Sequence, residues 1–165
     1  LWKTALPAFD AAAASGKYKI MHGLPHTEEE AAAWTGVVQA IEQLKTADKL
    51  VVSSGMWNFS IPYRLKQYID IIVQPGFTFT FDADKGYSGL VKGKPLQLLL
   101  ASGGEYPDGT PMAAFDFQKP YLEMIFRFIG FTDIRSLRVE GTLTPAAQDN
   151  LKKIKTSAME AGQRF

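Results

Sequence analysis

The sequence has no cysteine among its 165 residues, which excludes disulfides, thiolate catalysis and cysteine-ligated zinc or iron–sulfur sites. Its two histidines, His22 and His26, lack the spacing of a helical metal site, and we interpret both as surface residues. Lys and Arg number 18 against 17 Asp and Glu. With no cysteine and no histidine pair at metal-binding spacing, a metal site is not expected, and because the two signs balance and no long basic run occurs, a nucleic-acid interface is not expected either.

Long apolar runs are also absent. No stretch approaches the roughly 20 residues of a membrane-spanning helix, and the N-terminus lacks the apolar core of a secretory signal, so a cytoplasmic location is predicted. Leu1 stands where an initiating Met is expected, which predicts a fragment or a processed form. What is present is globular, with 46% hydrophobic and 21% charged residues. This length and composition predict a single domain over residues 1–165.

Helical and strand patterns alternate along the chain after an irregular segment, which is predicted for residues 1–26 because Pro and Gly interrupt it. Thr27 and Glu30 form a capping box that begins a helix reaching about Thr46. Further helices are predicted from Ser60, over 118–129 and from Thr144, and strands over 50–53, 77–81, 95–101 and 134–140. This alternation predicts an α/β fold in which helices cover both faces of a parallel sheet.

Two loops directly follow buried strands of this predicted sheet. Met56-Trp57-Asn58-Phe59 follows the first strand, and Ser102-Gly103-Gly104 follows the strand over 95–101. Right-handed crossovers place both loops at one edge of the sheet, where open α/β sheets bind ligands. The aromatic rings offer apolar surface and Asn58 a polar group. Consecutive glycines let backbone N–H groups approach a ligand and adopt unusual φ/ψ values.

A flat, heteroatom-rich ring such as a flavin would satisfy both loops. Other planar ligands would do so too, and an ordinary strand-to-helix turn with core aromatics would explain the first loop equally well. The residues alone therefore leave these alternatives open.

Several motifs in register carry a resemblance to a known family. They are Met56 to Pro62, Gly76 to Phe79, Gly89 to Lys94, Ser102 to Gly104, Pro120 to Leu122, Phe128 to Gly130 and Glu140-Gly141. From about Thr27 onward the chain resembles the FMN-dependent NADH-azoreductases of the flavodoxin-like NAD(P)H:quinone reductase superfamily. The resemblance implies a three-layer flavodoxin-like sandwich with strand order 2-1-3-4-5.

The same resemblance implies roles for individual residues. Met56, Trp57, Asn58 and Phe59 would surround the flavin ring, and Ser102, Gly103 and Gly104 would hold its pyrimidine side. Phe79 and Phe128 would line an acceptor pocket across a homodimer interface. The implied reaction is ping-pong: NADH or NADPH gives hydride to FMN, which then reduces a quinone or an azo compound. The chemistry is centred on the flavin, so no catalytic side chain is named.

The chain departs from the family pattern at two places. Glu105-Tyr106 stands where the family has a histidine after the glycines, so Tyr106 is predicted to contact the substrate or the flavin through a phenol hydrogen bond. The family also begins with a strand and a Ser-rich phosphate loop that this sequence does not show, which predicts an N-terminally incomplete domain. A flavodoxin-like binding module without cofactor is the alternative function, and an iron or chromate reductase is a subsidiary one.

Overall fold

A computed structural model of the chain describes Leu1, Lys3 and residues 5–165. Trp2 and Thr4, part of the segment predicted to be irregular, lie outside the described residues. Two compact units are formed, one by Leu1–Ala47 with Tyr63–Leu90 and one by Asp48–Pro62 with Val91–Phe165. That all of residues 1–165 act as a single domain stays a prediction.

The helices and strands follow the alternating order expected of an α/β fold. In chain order they are α1 (Ala11–Met21), α2 (Glu28–Thr46), β1 (Leu50–Gly55), α3 (Tyr63–Ile72), β2 (Phe79–Asp82), β3 (Gly86–Gly89), β4 (Pro95–Ala101), a short 3-10 helix (Pro111–Phe115), α4 (Lys119–Ile129), β5 (Asp133–Val139) and α5 (Ala147–Gln163).

The second unit is built on a parallel three-stranded sheet in the order β1-β4-β5. The central strand β4 buries Leu96, Leu98 and Leu100, and even Gln97 beside them is only 5% exposed. Helix α5 packs on the edge strand β5. The parallel sheet confirms the predicted fold class, and its strands match the last three of the order 2-1-3-4-5.

The predicted irregular segment is wrong over residues 11–21, which form α1. Asp10 begins this helix, its Oδ1 accepting a hydrogen bond from the Ala13 backbone N at 3.1 Å. The helix continues through Ser15 and Gly16 because the glycine lies against α2: a Cβ added there would stand 2.2 Å from the Glu30 carbonyl oxygen. Close helix packing therefore overrides the weak local propensity of this stretch.

The predicted capping box of α2 is confirmed. Thr27 Oγ1 accepts from the Glu30 backbone N at 3.1 Å, and Glu30 Oε2 accepts from the Thr27 backbone N at 2.8 Å. The Glu30 carboxylate also receives hydrogen bonds from Lys19 Nζ and Ser15 Oγ, both at 2.6 Å. With Lys19 as the largest cause, followed by Ser15 and the Thr27 N–H, these bonds lower the pKa of Glu30 from 4.5 to about 2. One carboxylate thus joins α1 to the beginning of α2.

This network predicts a stability loss in acid. The folded-state pKa of Glu30 lies below its ordinary value, so its stabilisation is fully present above pH 4.5 and is lost as the pH falls from 4.5 toward 2. We expect the difference in urea unfolding midpoint between the wild type and Glu30→Gln to be largest at pH 7 and to shrink at pH 3. An equal difference at both pH values would contradict the assigned network.

The remaining helices and strands of the first unit lie close to the positions predicted from the sequence. The helix predicted from Ser60 forms as α3 and buries Leu65, Ile69 and Ile72. The predicted strand over 77–81 starts two residues late, at Phe79, because Thr78 is fully buried and its Oγ1 donates to the Ile72 carbonyl oxygen at 2.8 Å. Strands β2 and β3 then form an antiparallel hairpin.

Neither histidine is near a cluster of potential metal ligands. His22 and His26 are exposed, and the Nδ1 of each lies beside a backbone carbonyl oxygen, at 2.7 and 3.1 Å. Within Leu1, Lys3 and residues 5–165, no group of three or more His, Cys, Asp or Glu could hold a metal ion. In that same part of the chain, no helix is long and apolar enough to cross a membrane.

Candidate functional site

The first loop predicted from the sequence forms a tight two-residue turn, here called the aromatic turn (Trp57–Ser60). Met56 extends the pairing of β1 with β4, its backbone N donating to the Ala101 carbonyl oxygen at 2.7 Å. Trp57 and Ser60 then exchange two backbone hydrogen bonds, each of 2.9 Å. The two central residues, Asn58 and Phe59, have φ values of 48° and 67°. Positive φ at both positions is the pattern of a type I′ turn.

Phe59 adopts an unfavourable backbone conformation in this turn. Asn tolerates positive φ, whereas a bulky residue there is a genuine outlier. The surrounding chain holds it in place: the Phe59 carbonyl oxygen accepts from the Phe117 backbone N at 2.9 Å, and the Phe59 ring lies 5.5 Å from that of Phe115. Such strain is concentrated at binding and catalytic sites, where the surrounding structure maintains it.

The aromatic turn also presents apolar surface. Trp57 is 49% exposed and Phe59 is 47% exposed, and Met56 between them and β1 is partly buried. The interpretation of both rings as core residues is therefore wrong, since each keeps about half of its surface open. Open aromatic faces at the carboxyl end of a parallel strand suit a planar ligand.

The second loop, here called the glycine loop (Ser102–Gly104), is paired through its carbonyl groups. Those of Ser102, Gly103 and Gly104 accept from the backbone N atoms of Thr142, Leu143 and Gly141, at 3.1, 3.2 and 3.0 Å. Ser102 is only 5% exposed, and its Oγ donates to the Gly104 carbonyl oxygen at 2.9 Å. The carbonyl side of the loop is thus occupied by the chain itself.

The N–H groups of the two loops are left available. In the described part of the chain, the backbone N–H groups of Asn58, Phe59, Gly103 and Gly104 donate to no acceptor. The Met56–Ala101 hydrogen bond brings the two loops to the same sheet edge, as the topology predicted. Four hydrogen-bond donors and two aromatic faces therefore meet where the parallel strands end.

The unusual φ/ψ values expected for Gly103 and Gly104 are wrong. Neither has positive φ; the left-handed residues are Asn58 and Phe59. Side chains of neighbouring residues approach both glycines closely. A Cβ on Gly103 would lie 2.8 Å from Leu143 Cδ1, and one on Gly104 would lie 3.3 Å from the Tyr106 hydroxyl oxygen.

The residues predicted for the acceptor pocket lie in both units. Tyr106 is 7% exposed, packs against Gly104, and donates its backbone N–H to Glu140 Oε1 at 3.1 Å. Phe128 is partly buried on α4 of the same unit. Phe79 is on β2 of the first unit, 6.0 Å from the Tyr87 ring. A common pocket for Phe79, Tyr106 and Phe128 stays a prediction.

Sequence reasoning missed several residues that shape this site. Phe115 and Phe117, 48% and 59% exposed, extend the aromatic surface beside Phe59, and Leu143, 89% exposed, lies beside Gly103. No local sequence pattern predicts these three residues, because they contact segments that are distant in sequence. Arg138 also belongs to this set, because it contacts Glu140, the residue that binds the Tyr106 backbone N. The pairing of Arg138 with Glu140 could have been predicted, since residues two apart on a strand point to the same face.

Comparison with protein families and with individual relatives gives consistent results. A family described as having a flavodoxin-like fold matches residues 1–161. The chain is 49% identical over 160 residues to an FMN-dependent NADH:quinone oxidoreductase of Nitratidesulfovibrio vulgaris (strain DP4), a match that covers 97% of this chain and 76% of that protein.

Solved structures show the same likeness. An azoreductase from Bacillus anthracis str. Sterne matches with a TM-score of 0.91 and 30% identity, over 99% of this chain and 79% of that one. An FMN-dependent NADH-azoreductase from Bacillus anthracis str. Ames Ancestor, solved in complex with FMN, matches with a TM-score of 0.91 and 28% identity, over 99% and 77%.

Proposed function

This chain belongs to the flavodoxin-like family of FMN-dependent NADH:quinone oxidoreductases and azoreductases, and from that premise we propose that it transfers two electrons from NADH or NADPH to a quinone with FMN as cofactor. It is an oxidoreductase, and its flavin dependence follows from the family. Reduction of azo compounds is the second acceptor class that we propose, on the basis of the azoreductase structures.

One observation supports this function above all: the four available N–H groups beside two half-open aromatic rings. The pyrimidine side of a flavin presents carbonyl oxygens and a ring nitrogen as acceptors, and the rest of the ring system is flat and apolar. Donors at one edge and aromatic surface at another therefore fit the isoalloxazine ring. The residues present are compatible with FMN.

We assign the residues of the two loops as follows. The N–H groups of Gly103 and Gly104 bind pyrimidine oxygens, while those of Asn58 and Phe59, with the Asn58 side chain, bind the adjoining polar edge. The rings of Trp57 and Phe59 support the apolar part. Met56 fixes the start of the aromatic turn through Ala101, and Ser102 shapes the glycine loop, because its hydroxyl is used within that loop.

The protein contributes orientation and electrostatics. FMN, when bound, would supply the two-electron redox chemistry between nicotinamide and quinone. Backbone N–H groups fixed by their own chain need no reorganisation as negative charge grows at the pyrimidine edge, which is the condition for electrostatic stabilisation. Exposed rings at Phe115 and Phe117, beside Phe59, extend the apolar surface that nicotinamide and quinone can occupy in turn. Successive use of one surface gives ping-pong kinetics.

The test is direct binding and turnover of the purified protein. Titration with FMN is expected to quench flavin fluorescence to saturation, and the loaded protein is expected to oxidise NADH or NADPH in the presence of a naphthoquinone. Double-reciprocal plots at several quinone concentrations should be parallel, and parallel assays with both nucleotides identify the preferred donor. An azo dye in place of the quinone tests the second acceptor class.

The opposite result would identify the alternative function. Protein that remains unable to bind added FMN and shows no NADH-dependent quinone reduction would act as a flavodoxin-like binding module. Loaded protein that reduces ferric iron or chromate faster than quinones would be a reductase of those ions.

We also propose a homodimer, in which Phe79 and Phe128 contribute to the acceptor pocket across the interface. The β2–β3 hairpin that carries Phe79 exposes Phe81 (62%) and Tyr87 (64%), a surface suited to association. Sedimentation equilibrium should then give twice the chain mass of 18.2 kDa, and a monomer mass at micromolar concentration would refute it. A cytoplasmic location remains part of the same proposal.

A further inference from the structure

Arg138, near the end of β5, lies between two carboxylates from different parts of the second unit. Its Nη2 is 3.1 Å from Asp116 Oδ2 and also contacts Glu140 Oε1. The side chains are largely enclosed, 19% exposed for Arg138 and 7% for Asp116. The Arg138 Nη2 atom thus links Asp116, at the end of segment 105–116, to Glu140, which binds Tyr106 near its beginning. This segment connects the glycine loop to α4.

The Glu140 contact fixes the beginning of segment 105–116. Glu140 Oε1 accepts from the Tyr106 backbone N at 3.1 Å, and the Tyr106 hydroxyl packs at the Cβ position of Gly104. The Glu140 carbonyl oxygen is itself bound by Asn150 Nδ2 of α5 at 3.0 Å. Glu140 therefore holds Tyr106, the residue that packs against Gly104 of the glycine loop.

The Asp116 contact fixes the other end of the segment. Asp116 Oδ1 accepts from the backbone N atoms of Gln118 (2.9 Å) and Lys119 (3.2 Å), which begins α4. Between them, the Phe117 backbone N donates to the Phe59 carbonyl oxygen, and Gln118 Nε2 donates to the Ser54 carbonyl oxygen at 3.2 Å. Asp116 therefore holds the residues that fix the aromatic turn and the end of β1.

We propose that Arg138 is a positioning residue that sets the separation of the aromatic turn and the glycine loop, and so the affinity for the flavin ring. This inference rests on the proposed function. Without the guanidinium, the carboxylates of Asp116 and Glu140, 7% and 26% exposed, would lose the cation that they share and would repel each other. Asp116 and Glu140 would move apart or admit water, and Tyr106 and Phe117 would shift with them. The four N–H donors would then no longer match a single rigid ring.

The strand itself offers a matched control. Arg135, also on β5, pairs with Asp133 at 2.7 Å, but both side chains are exposed, at 40% and 47%. An exposed ion pair of this kind contributes little to stability. Arg138→Met and Arg135→Met therefore make the same chemical change on one strand, and only the first removes the bridge.

The first measurement is hydrogen exchange on the purified protein, before and after addition of FMN. In Arg138→Met we expect faster exchange of the Tyr106 and Phe117 amides in both conditions, and a dissociation constant for FMN raised at least about tenfold. Arg135→Met should match the wild type in exchange and should bind FMN within about twofold of it. Wild-type exchange and affinity in Arg138→Met would overturn the proposal.

Further variants separate positioning from simple loss of folding. Arg138→Lys keeps a cation and should recover most of the affinity. Adding Asp116→Asn and Glu140→Gln to Arg138→Met removes the unpaired charges, so the triple variant should fold even where Arg138→Met does not. We expect this folded triple variant still to bind FMN weakly; wild-type affinity in it would overturn the positioning role. If the wild type itself fails to bind FMN, the proposed function fails, whereas the exchange comparison still decides the role of Arg138 in holding the segment.

Discussion

Replacing Phe59 with glycine is expected to change the stability of the protein little while strongly lowering the proposed quinone reductase activity. With φ at 67°, Phe59 occupies the left-handed region, which costs an L residue about 1–2 kcal/mol. Glycine adopts this region freely but costs up to about 1 kcal/mol of unfolded-chain entropy. Since the ring is 47% exposed, its removal also loses about 1 kcal/mol of burial, so the gain and the two costs nearly cancel and we expect a net loss of no more than about 1 kcal/mol.

The activity of Phe59→Gly should fall much more than its stability. Stacking of a planar ligand on an aromatic side chain contributes about 1–3 kcal/mol, so kcat/KM for the quinone should fall by about 5- to 150-fold. Urea unfolding gives the stability, and steady-state oxidation of NADH with a naphthoquinone gives kcat/KM.

Phe115→Gly is a matched control for the backbone effect. Its ring contacts that of Phe59 and is 48% exposed, but Phe115 does not have positive φ. Glycine at Phe115 has no strain to relieve and should therefore destabilise the protein by about 2 kcal/mol, through the lost burial of the ring and the entropy of glycine. If both variants lose the same stability, the left-handed conformation of Phe59 is not strained.

Replacing Gly16 with alanine should destabilise the protein strongly. The added Cβ would lie 2.2 Å from the carbonyl oxygen of Glu30 and 2.8 Å from its carbon. Both are backbone atoms of α2, so the clash can be relieved only by separating α1 from α2. We expect a loss of about 3 kcal/mol in the free energy of unfolding, at the upper end for overpacking.

Alanine substitutions at two other helical glycines serve as controls for Gly16→Ala. A Cβ on Gly36 would meet only the side chain of Pro7, at 3.3 Å, and one on Gly162 would meet nothing within 4 Å. Gly162→Ala should be stabilising by up to about 1 kcal/mol. The stability of Gly36→Ala should lie between those of Gly16→Ala and Gly162→Ala. Melting temperatures that do not follow this order would show that α1 and α2 are not packed through Gly16.

Sequence reasoning succeeded where structure is set by neighbours in the chain. The predicted capping box of Thr27 and Glu30 is a local signal and is confirmed, and Gly130, directly after the helix predicted over 118–129, ends α4 in a left-handed conformation. Helix α1 was missed because its glycine is favourable only once α2 is in place. In α2 itself, tertiary contacts decide which residues of the helical stripe are buried, Val37 among them.

In the candidate site, too, some features could be predicted from the sequence and others depend on contacts between distant segments. Topology alone predicted that the aromatic turn and the glycine loop share a sheet edge, because strand direction and crossover hand fix where loops lie. The left-handed pair could not be predicted, since Phe59 is not a turn-forming residue. The pairing of the glycine loop depends on residues 141–143, about forty positions further along the chain, and local reasoning does not reach that far.

The one-sided pairing of the glycine loop makes it selective for the chemistry of a ring edge. The carbonyl groups of Ser102, Gly103 and Gly104 already accept hydrogen bonds from residues 141–143, whereas the N–H groups of Gly103 and Gly104 remain available. Keto oxygens, such as those of a uracil-like ring, match these two donors, whereas an exocyclic amine in the same place, as in cytosine, would set N–H against N–H. We therefore expect the loop to favour keto over amino groups at the positions that its two amides reach, through backbone atoms that a side-chain substitution does not remove.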